Sequence, residues 1–398
     1  MPQAIGAHTL WHVDPKSILV VTREGVALAN LAEGSTRLLV PGGRWPAWNP
    51  LYDMMAVSVV SDGPSQLRLV DFEGRTERVF YEAAAGVPSA IAPLVPHYMM
   101  WSPGGNALCY VAQSSFGMAL FLSDIDGKFG PDAVINAAPL FSAWCTDNNF
   151  LAVHAGEELA VVEIDGSRST AEVHPKALGF RTPAYSDDAE VLAYAVASPD
   201  GGVVIMRAHF QGTGSEEACA FGSGVALAFR PGTQLLTVAV SNDAESGGFD
   251  ELWAVDLAEP AYPKRQIYKG QFVSFLWAPT GEHVIVIVPS YSGDGRYAAR
   301  CLEANGAPKG STESFAPSED MRIYLAFFDQ YANSHALWSP DGHQFLICGT
   351  IGSDRVPASF GDSNGDYVYL WDVTENKPLR TVAPGSIGFF PPLPKTLR

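Results

Sequence analysis

The clearest pattern that could do chemistry is a Gly-x-Ser-x-Gly sequence at residues 361–365. In α/β-hydrolases this pattern places a nucleophilic serine on a strained turn between a strand and a helix. Here the residues that follow, Asp366 to Val373, form an apolar run typical of a strand. The pattern therefore indicates a hairpin loop, and we predict no catalytic residue.

Histidines and carboxylates offer two further kinds of site. His8 and His12 have the spacing that shares a zinc ion on a helix, but their segment is predicted to be a strand, in which four residues span about 13 Å. Neither carboxylate cluster has the order of a calcium-binding loop. The clusters are Asp243, Glu245, Asp250 and Glu251, and Asp354, Asp362 and Asp366. We predict no metal and no cofactor, although a site assembled from single residues of several repeats would leave no local motif.

An internal repeat has to position these residues. An aromatic residue ends a short apolar run, a polar turn follows, and a second apolar run begins six or seven residues later. Four short strands in each unit of about 40–50 residues is the period of a β-propeller blade. A β-sandwich does not require the same aromatic-turn-strand pattern in each unit. The repeated aromatics are Trp11, Trp48, Trp101, Trp144, Tyr185, Phe229, Trp277 and Trp338.

We therefore predict an all-β chain with one domain over residues 1–398, a β-propeller of eight four-stranded blades. Seven blades is the alternative if the irregular first or seventh unit is not a true blade. Residues 385–398 are expected to form a tail that closes the ring. The expected blades cover approximately residues 8–42, 44–82, 96–138, 139–175, 180–222, 223–269, 271–317 and 333–384.

Three of the phrases resemble the WD-repeat-like, TolB-type β-propeller family, whose hallmark is W-S-P-D-G between the first two strands of a blade. They are W-S-P-D-G at 338–342, W-S-P-G-G at 101–105 and W-A-P-T-G at 277–281; L-W-D-V at 370–373 looks like the ending that gives WD repeats their name. The resemblance covers essentially the whole chain. It implies a mainly protein-binding family with a minority of enzymes, and the fold alone cannot choose between these functions.

Composition excludes several partners. The 398 residues carry 43 acids and 25 bases, for a formal charge of −18, which disfavours nucleic acid because that affinity comes from lysine and arginine. Residues 83–123 lack charged side chains, but prolines and glycines interrupt them, so we predict no membrane insertion. Five dispersed cysteines without a CxxC spacing, and no secretory signal, favour a reducing compartment, the cytoplasm.

Long loops are expected on one face of the propeller. Blade-to-blade connections and the loops between the second and third strands of a blade leave on the same side, which we call the loop face. The long segments are 241–251, 289–296 and 349–366 between strands, and 82–96 and 317–333 between blades. Long loops on a rigid scaffold usually carry recognition.

Basic residues are predicted to gather at the axial mouth of the loop face. Arg44, His97 and Arg181 each lie four residues before a repeated aromatic, at the start of an inner strand, with Trp45 beside the first. Such groups could capture a carboxylate or an acidic peptide. Pairing with neighbouring loop carboxylates is the alternative interpretation.

One blade-to-blade segment, residues 321–331, has the spacing of an amphipathic helix. It is either a lid packed on blades seven and eight or an exposed aromatic anchor on the rim. The predicted rim residues are Tyr324, Phe327, Phe328 and Tyr331.

Together these features predict a scaffold for protein partners that uses the loop face and is not an enzyme. An enzyme, a hydrolase or lyase with an axial metal or acid/base site, is one alternative. A binder of an acidic small ligand or peptide at the axial mouth is the other.

Overall fold

The repeated phrases fold into antiparallel strands in a computed structural model of the chain. The structure describes residues 16–60, 64–83, 96, 98–129, 133–164, 170–175, 181–222, 224–242, 247–290, 294–352 and 365–392. Strands in the first half are β1 Ser17–Val21, β2 Gly25–Asn30, β3 Ser35–Pro41, β4 Gly43–Trp48, β5 Met54–Val59, β6 Gln66–Asp71, β7 Thr76–Glu82, β8 Met99–Trp101, β9 Ala107–Ser114, β10 Gly117–Asp124, β11 Ala133–Asn136, β12 Leu140–Trp144, β13 Phe150–Ala155, β14 Glu158–Glu163 and β15 Thr170–Pro175.

The second half contains the remaining strands and two short helices. They are β16 Ala184–Tyr185, β17 Val191–Ala197, β18 Val203–His209, β19 Glu216–Phe221, β20 Val225–Phe229, β21 Leu235–Val240, β22 Phe249–Asp256, β23 Lys264–Phe272, β24 Ser274–Trp277, β25 His283–Pro289, β26 Tyr297–Glu303, β27 Pro308–Ser311, β28 Phe315–Pro317, α1 Glu319–Ala326, α2 Phe328–Tyr331, β29 Gln344–Ile351, β30 Tyr367–Asp372, β31 Arg380–Pro384 and β32 Ile387–Phe389. Neither described helix, of eight and four residues, has the length of a membrane-spanning helix.

The described strands form six four-stranded sheets and one eight-stranded sheet. Five of the smaller sheets keep chain order: β4 to β7, β8 to β11, β12 to β15, β16 to β19 and β20 to β23. The large sheet contains two such units, β24 to β27 and β28 to β31. Counting it as two gives the eight repeats expected from the sequence, while the blade number itself stays a prediction.

The sixth four-stranded sheet joins the two ends of the chain. Its order is β3-β2-β1-β32, and Ile387–Phe389 pairs with Leu19 to Val21. The inner position that the sequence pattern assigned to the segment around Trp11 is thus occupied by β32, and residues 1–15 lie outside the described part of the chain.

The repeated tryptophans connect neighbouring units. The indole Nε1 of Trp101 donates a hydrogen bond to the Ala47 carbonyl at 3.1 Å, and that of Trp144 donates to Met100 at 3.1 Å. Each bond joins an inner strand to the inner strand of the preceding unit. Trp48 makes the same bond to Phe389 of β32 at 3.1 Å, so the chain closes with the contact that also joins its internal units.

The inner strand of the last unit is split by the helices. β28 pairs with residues 349–351 at the end of β29, whereas Trp338 bridges Phe345 at its beginning. The eighth unit therefore starts at Phe315, inside the predicted seventh blade and before the predicted boundary at residue 333. Residues 318–335, which we call the insert, leave one half of this strand and return to the other.

The insert lies in the middle of the ring. Tyr331 stacks on Trp45 at 4.8 Å and on Tyr98 at 5.1 Å between ring centroids, and Phe328 contacts Phe249 and Phe275 at 6.0 and 5.2 Å. Three of these partners lie in or just before inner strands, Phe249 begins the third strand of its sheet, and the four belong to four different units. The insert thus fills the axial channel with aromatic rings.

Two polar side chains of α2 accept hydrogen bonds from backbone N–H groups that lie in, or just before, inner strands. Gln330 Oε1 accepts the N–H of Ser142 at 2.9 Å, and Asp329 Oδ2 accepts the N–H of Thr182 at 3.0 Å. Because an inner strand has no neighbour on its axial side, its buried N–H groups need such acceptors. The channel is therefore matched to the insert in polarity as well as in shape.

Candidate functional site

A cavity of about 510 Å³ opens at the loop face between the insert and three units of the ring. Its walls come from starts of inner strands, from second-to-third strand loops and from α1. We call it the arginine pocket. It is lined by Arg181, Gly224, Ser241, Gly247, Gly248, Phe249, Val273, Tyr297, Arg322, Leu325, Ala326 and Phe328.

Arg181 lies just before β16 and is half-buried. Its guanidinium sits over the Phe249 ring, 5.6 Å from the centroid, where the ring face attracts a cation. The ring Nδ1 of buried His154 donates a hydrogen bond to the Arg181 carbonyl. The backbone of Arg181 is therefore held by the neighbouring unit while its side chain faces the cavity.

Arg322 comes from the exposed side of α1. Its positive charge opposes the effect of burial, which raises the pKa of Asp366 above its usual value; the charge of Asp320 raises that pKa further. The wall between the two arginines is apolar, formed by Leu325, Phe328 and other buried side chains. The pocket thus combines two cations with a hydrophobic surface.

Of the four residues predicted at the axial mouth, Arg181 lines this pocket. Arg44 instead donates hydrogen bonds to the carbonyls of Thr22 at 3.1 Å and Gly43 at 2.9 Å. Trp45 is buried under Tyr331 and is not an accessible ligand group, contrary to the prediction. His97 lies outside the described residues.

The predicted rim position of the aromatic helix is wrong. Tyr324, Phe328 and Tyr331 are 1%, 3% and 0% exposed, and Phe327 is half-buried against the hydrophobic core. The side chains point into the channel because the insert enters and leaves through an inner strand. The alternative of a lid packed on blades seven and eight also needs correction, since the helix packs inside the ring rather than on those two blades alone.

Sequence reasoning missed an exposed aromatic on the same face. Phe116 is 87% exposed at the tip of the hairpin between β9 and β10, the second and third strands of their sheet. The Ser114 hydroxyl accepts the Phe116 N–H at 3.1 Å and donates to the Gly117 carbonyl at 3.0 Å. The sequence signal was an aromatic residue in a Ser-Ser-Phe-Gly turn between two strands.

A second cavity of about 260 Å³ lies at the other end of the channel, where inner strands end. Its lining includes the repeated aromatics Trp144, Tyr185, Phe229, Trp277 and Trp338. The insert separates this cavity from the arginine pocket.

The chemical motifs of the sequence fall largely outside the described residues. This holds for His8, His12, Ser363, Asp243, Glu245, Asp354 and Asp362. The described acids have local contacts: Asp250 accepts the Asn242 N–H at 2.9 Å, and Glu251 accepts the Trp253 indole N–H at 2.9 Å. Within the described ranges, no group of three or more His, Cys, Asp or Glu side chains could hold a metal ion.

His154 is expected to make stability depend on pH. Burial lowers its pKa from 6.5 to about 4, and its Nε2 has no hydrogen-bond partner among the described residues. Because the unfolded chain binds this proton more tightly, the contribution of neutral His154 is complete above pH 6.5 and is lost as the pH falls toward 4. Between pH 7 and pH 5 the loss is about 2 kcal/mol.

The variant His154→Gln keeps an N–H donor for the Arg181 carbonyl and does not titrate. Urea unfolding at pH 7 and pH 5 should therefore show about 2 kcal/mol less pH dependence in the variant than in the unmodified protein. Equal pH dependence in both proteins would contradict a neutral, buried His154.

Comparisons with known proteins place this architecture. No protein-family model matches the chain, and no curated protein matches its sequence. Among solved structures, the dihydro-heme d1 dehydrogenase NirN matches with a TM-score of 0.61 at 11% identity, covering 98% of this chain and 78% of that one.

Two further structures match over nearly the whole chain. The crystal structure of the eukaryotic initiation factor gives a TM-score of 0.56 at 12% identity, covering 95% of this chain and 98% of that one. The C-terminal WD40 domain of Sif2 gives 0.52 at 13% identity, covering 94% and 88%. At these identities the similarity shows the fold alone. The predicted all-β architecture and its WD-repeat-like resemblance are confirmed at that level: the chain is a β-propeller.

Proposed function

We propose that the chain is a non-catalytic scaffold that binds a protein partner on its loop face. The observation that carries the proposal is Phe116, an aromatic side chain 87% exposed on a hydrogen-bonded hairpin. A large apolar side chain that is exposed to water contributes to binding when a partner covers it, which is how aromatic anchors act in interfaces.

The axial channel supports binding over catalysis. An enzyme of the alternative kind would need accessible acid, base or metal-binding side chains on the axis, whereas the rings of Tyr331, Tyr98 and Trp45 stack there and the buried carboxylate of Asp329 accepts the Thr182 N–H. The arginine pocket lies on the loop face beside this filled channel. The face therefore offers two features for recognition, one aromatic and one cationic.

The acidic charge of −18 disfavours nucleic acid as the partner. We place the protein in the cytoplasm because its five cysteines are thiols rather than disulfides, four of them buried.

The variant Phe116→Ser tests the proposal. Affinity purification from the native cell, followed by quantitative mass spectrometry, should show at least one partner that binds the unmodified protein and is retained about 10-fold less by the variant. Val79→Ser is the matched control, since Val79 is 45% exposed on the outer strand β7, away from the loop face.

Partners that survive Phe116→Ser but are lost with Val79→Ser would place the interface on the circumference and overturn the proposal. Equal partner sets for all three proteins would overturn it too. Both substituted residues are exposed, so both variants are expected to fold with unchanged stability.

A further inference from the structure

We propose that the second cavity, at the end of the channel opposite the loop face, binds an indole ring. We call it the far cavity. Its volume is about 260 Å³, and the repeated aromatics in its wall are Trp144, Tyr185, Phe229, Trp277 and Trp338. Because the insert separates this cavity from the loop face, the inference goes beyond the proposed partner binding and does not depend on it.

The propeller itself shows how this fold holds an indole. In four places, the carbonyl group one residue before the aromatic at the end of an inner strand accepts an indole N–H from the following unit. The N···O distance is 3.1 Å in each case, and the donor–acceptor pairs are Trp48 with Phe389, Trp101 with Ala47, Trp144 with Met100 and Trp338 with Leu276. An indole at this position therefore has a fixed acceptor in the fold.

The other four units lack this bond. In the part of the chain that the structure describes, no side chain donates to the corresponding carbonyl groups, which belong to Ala143, Ala184, Ala228 and Leu337. The Tyr185 hydroxyl donates instead to a carbonyl group of its own unit at 2.9 Å, and the Trp277 indole donates to Thr237 Oγ1 at 2.9 Å. Phe229 and Phe390, the aromatics of the remaining two positions, have no side-chain donor.

The missing bonds coincide with the far cavity. All four residues without the indole bond line it, whereas Leu276 is the only one of the four acceptors with the bond that does so. Tyr185, Phe229 and Trp277 are half-buried there, while the other repeated tryptophans in the described ranges are buried. The cavity thus lies where the ring of units is without its own indole groups, and a bound indole would supply the same contacts.

The polar groups of the lining favour a ligand that donates a hydrogen bond. A backbone carbonyl has two lone pairs, so one that pairs within a sheet can still accept a second donor. The carboxylates of the lining already accept backbone N–H groups: Asp329 that of Thr182 at 3.0 Å, and Asp187 that of Gly232 at 2.7 Å. Carbonyl acceptors beside aromatic rings fit a flat apolar ring with one N–H donor.

The size of the cavity favours a single bicyclic ring. A volume of about 260 Å³ is slightly below the range of roughly 300–1,000 Å³ that is usual for drug-sized ligands. A ring of indole size can be buried there with little room for further groups. Any chain attached to the ring would therefore extend out of the cavity.

Isothermal titration calorimetry with N-acetyl-tryptophanamide tests the inference. This ligand should bind at millimolar concentration or better. Its benzothienyl analogue has the same shape but carries sulfur in place of the indole N–H, so it should bind about 3- to 10-fold more weakly through the loss of one neutral hydrogen bond.

The variant Phe229→Trp would supply the missing indole from the protein, facing the carbonyl group of Ala184. It should weaken binding of N-acetyl-tryptophanamide at least about 10-fold. Phe116→Trp is the matched control, since it makes the same change on the loop face, and it should leave binding unchanged.

A second variant covers the case in which the new indole turns away, as that of Trp277 does. Ala332 is exposed and lines the far cavity, so Ala332→Phe places a ring at the cavity without disturbing buried packing. It should also weaken binding about 10-fold. Thermal unfolding followed by circular dichroism should show that both variants are folded.

Free indole distinguishes the source of the ring. Tighter binding of N-acetyl-tryptophanamide than of indole supports a tryptophan side chain of a polypeptide as the natural ligand, because the attached backbone then adds contacts at the edge of the cavity. Tighter binding of indole supports a small aromatic molecule. Both orders support the indole site.

Several results would overturn the inference. These are no heat of binding for either indole ligand up to about 10 mM, equal affinity for the indole and benzothienyl ligands, or affinity unchanged in both Phe229→Trp and Ala332→Phe. An equal loss of affinity in Phe116→Trp would place the ligand on the loop face and would contradict it too. Partner capture through Phe116 is measured separately, so failure of the far cavity and failure of the loop-face function give different patterns.

Discussion

Tyr331→Ala is expected to lower the free energy of unfolding by about 3–5 kcal/mol. The Tyr331 ring is 0% exposed and stacks on Trp45, Tyr98 and Tyr324, with centroids 4.8, 5.1 and 5.5 Å away. Removing it leaves a cavity where the insert meets the ring. Rigid strands on all sides cannot collapse into that space, which places the cost at the upper end for a large-to-small substitution.

The matched variant Tyr331→Phe keeps the ring and removes the hydroxyl that hydrogen-bonds to Tyr98. It should cost about 1 kcal/mol. Guanidinium unfolding monitored by tryptophan fluorescence measures both values. A cost for Tyr331→Ala close to that of Tyr331→Phe would mean that the insert can leave the channel without loss, and would contradict its role as the central packing element.

The repeat could be predicted because its information is local. In the phrase at 101–105, the Ser102 hydroxyl accepts the Ala107 N–H at 3.2 Å, and Gly105 adopts a positive φ of 69°. The same bond joins Ser339 to Gln344 at 2.9 Å. Each turn is specified by residues within six positions, so a single sequence contains enough information to locate it.

The position of the insert could not be predicted, although its helical spacing could. An amphipathic pattern shows that one face is buried and does not show against what. The decisive fact is that Phe315 and Trp338 pair with opposite ends of the same strand, β29. That pairing is long-range, so the pattern around residues 321–331 is the same for a rim helix and for a helix inside the channel.

Of the residues predicted at the axial mouth, Arg181 lines the pocket but Arg44 and Trp45 do not. The backbone of β4 explains the difference. The expectation assumed one regular register for all inner strands. In β4 the pairing with β5 shifts between Arg44 and Ala47, and Trp45 has a φ of 47°. Such an irregularity redirects side chains, so Arg44 turns to the carbonyl of Thr22 and Trp45 turns into the core.

Gly349→Ala is expected to destabilise the protein by about 2–6 kcal/mol through backbone strain and overlap. Gly349 lies in β29 opposite Pro317, at the point where the chain leaves the inner strand and enters the insert. Its φ of 145° is a conformation that side chains rarely adopt, and an added Cβ would overlap the Ala316 carbonyl oxygen. An added methyl group would fit only if β28 separated from β29, and that separation would also displace the start of the insert.

Gly34→Ala provides the matched control, since Gly34 also has a positive φ, 67°, but an added Cβ would meet nothing within 4 Å. It should cost only about 1–2 kcal/mol, the penalty of the left-handed conformation. Denaturant unfolding compares the two variants: both carry the strain of a positive φ, which is greater at 145° than at 67°, and Gly349→Ala alone adds the overlap. Equal losses would show that β28 yields easily to an added methyl group. A larger loss at Gly349 would show that β28 pairs with β29 too closely, at the point where the insert begins, to accept a methyl group.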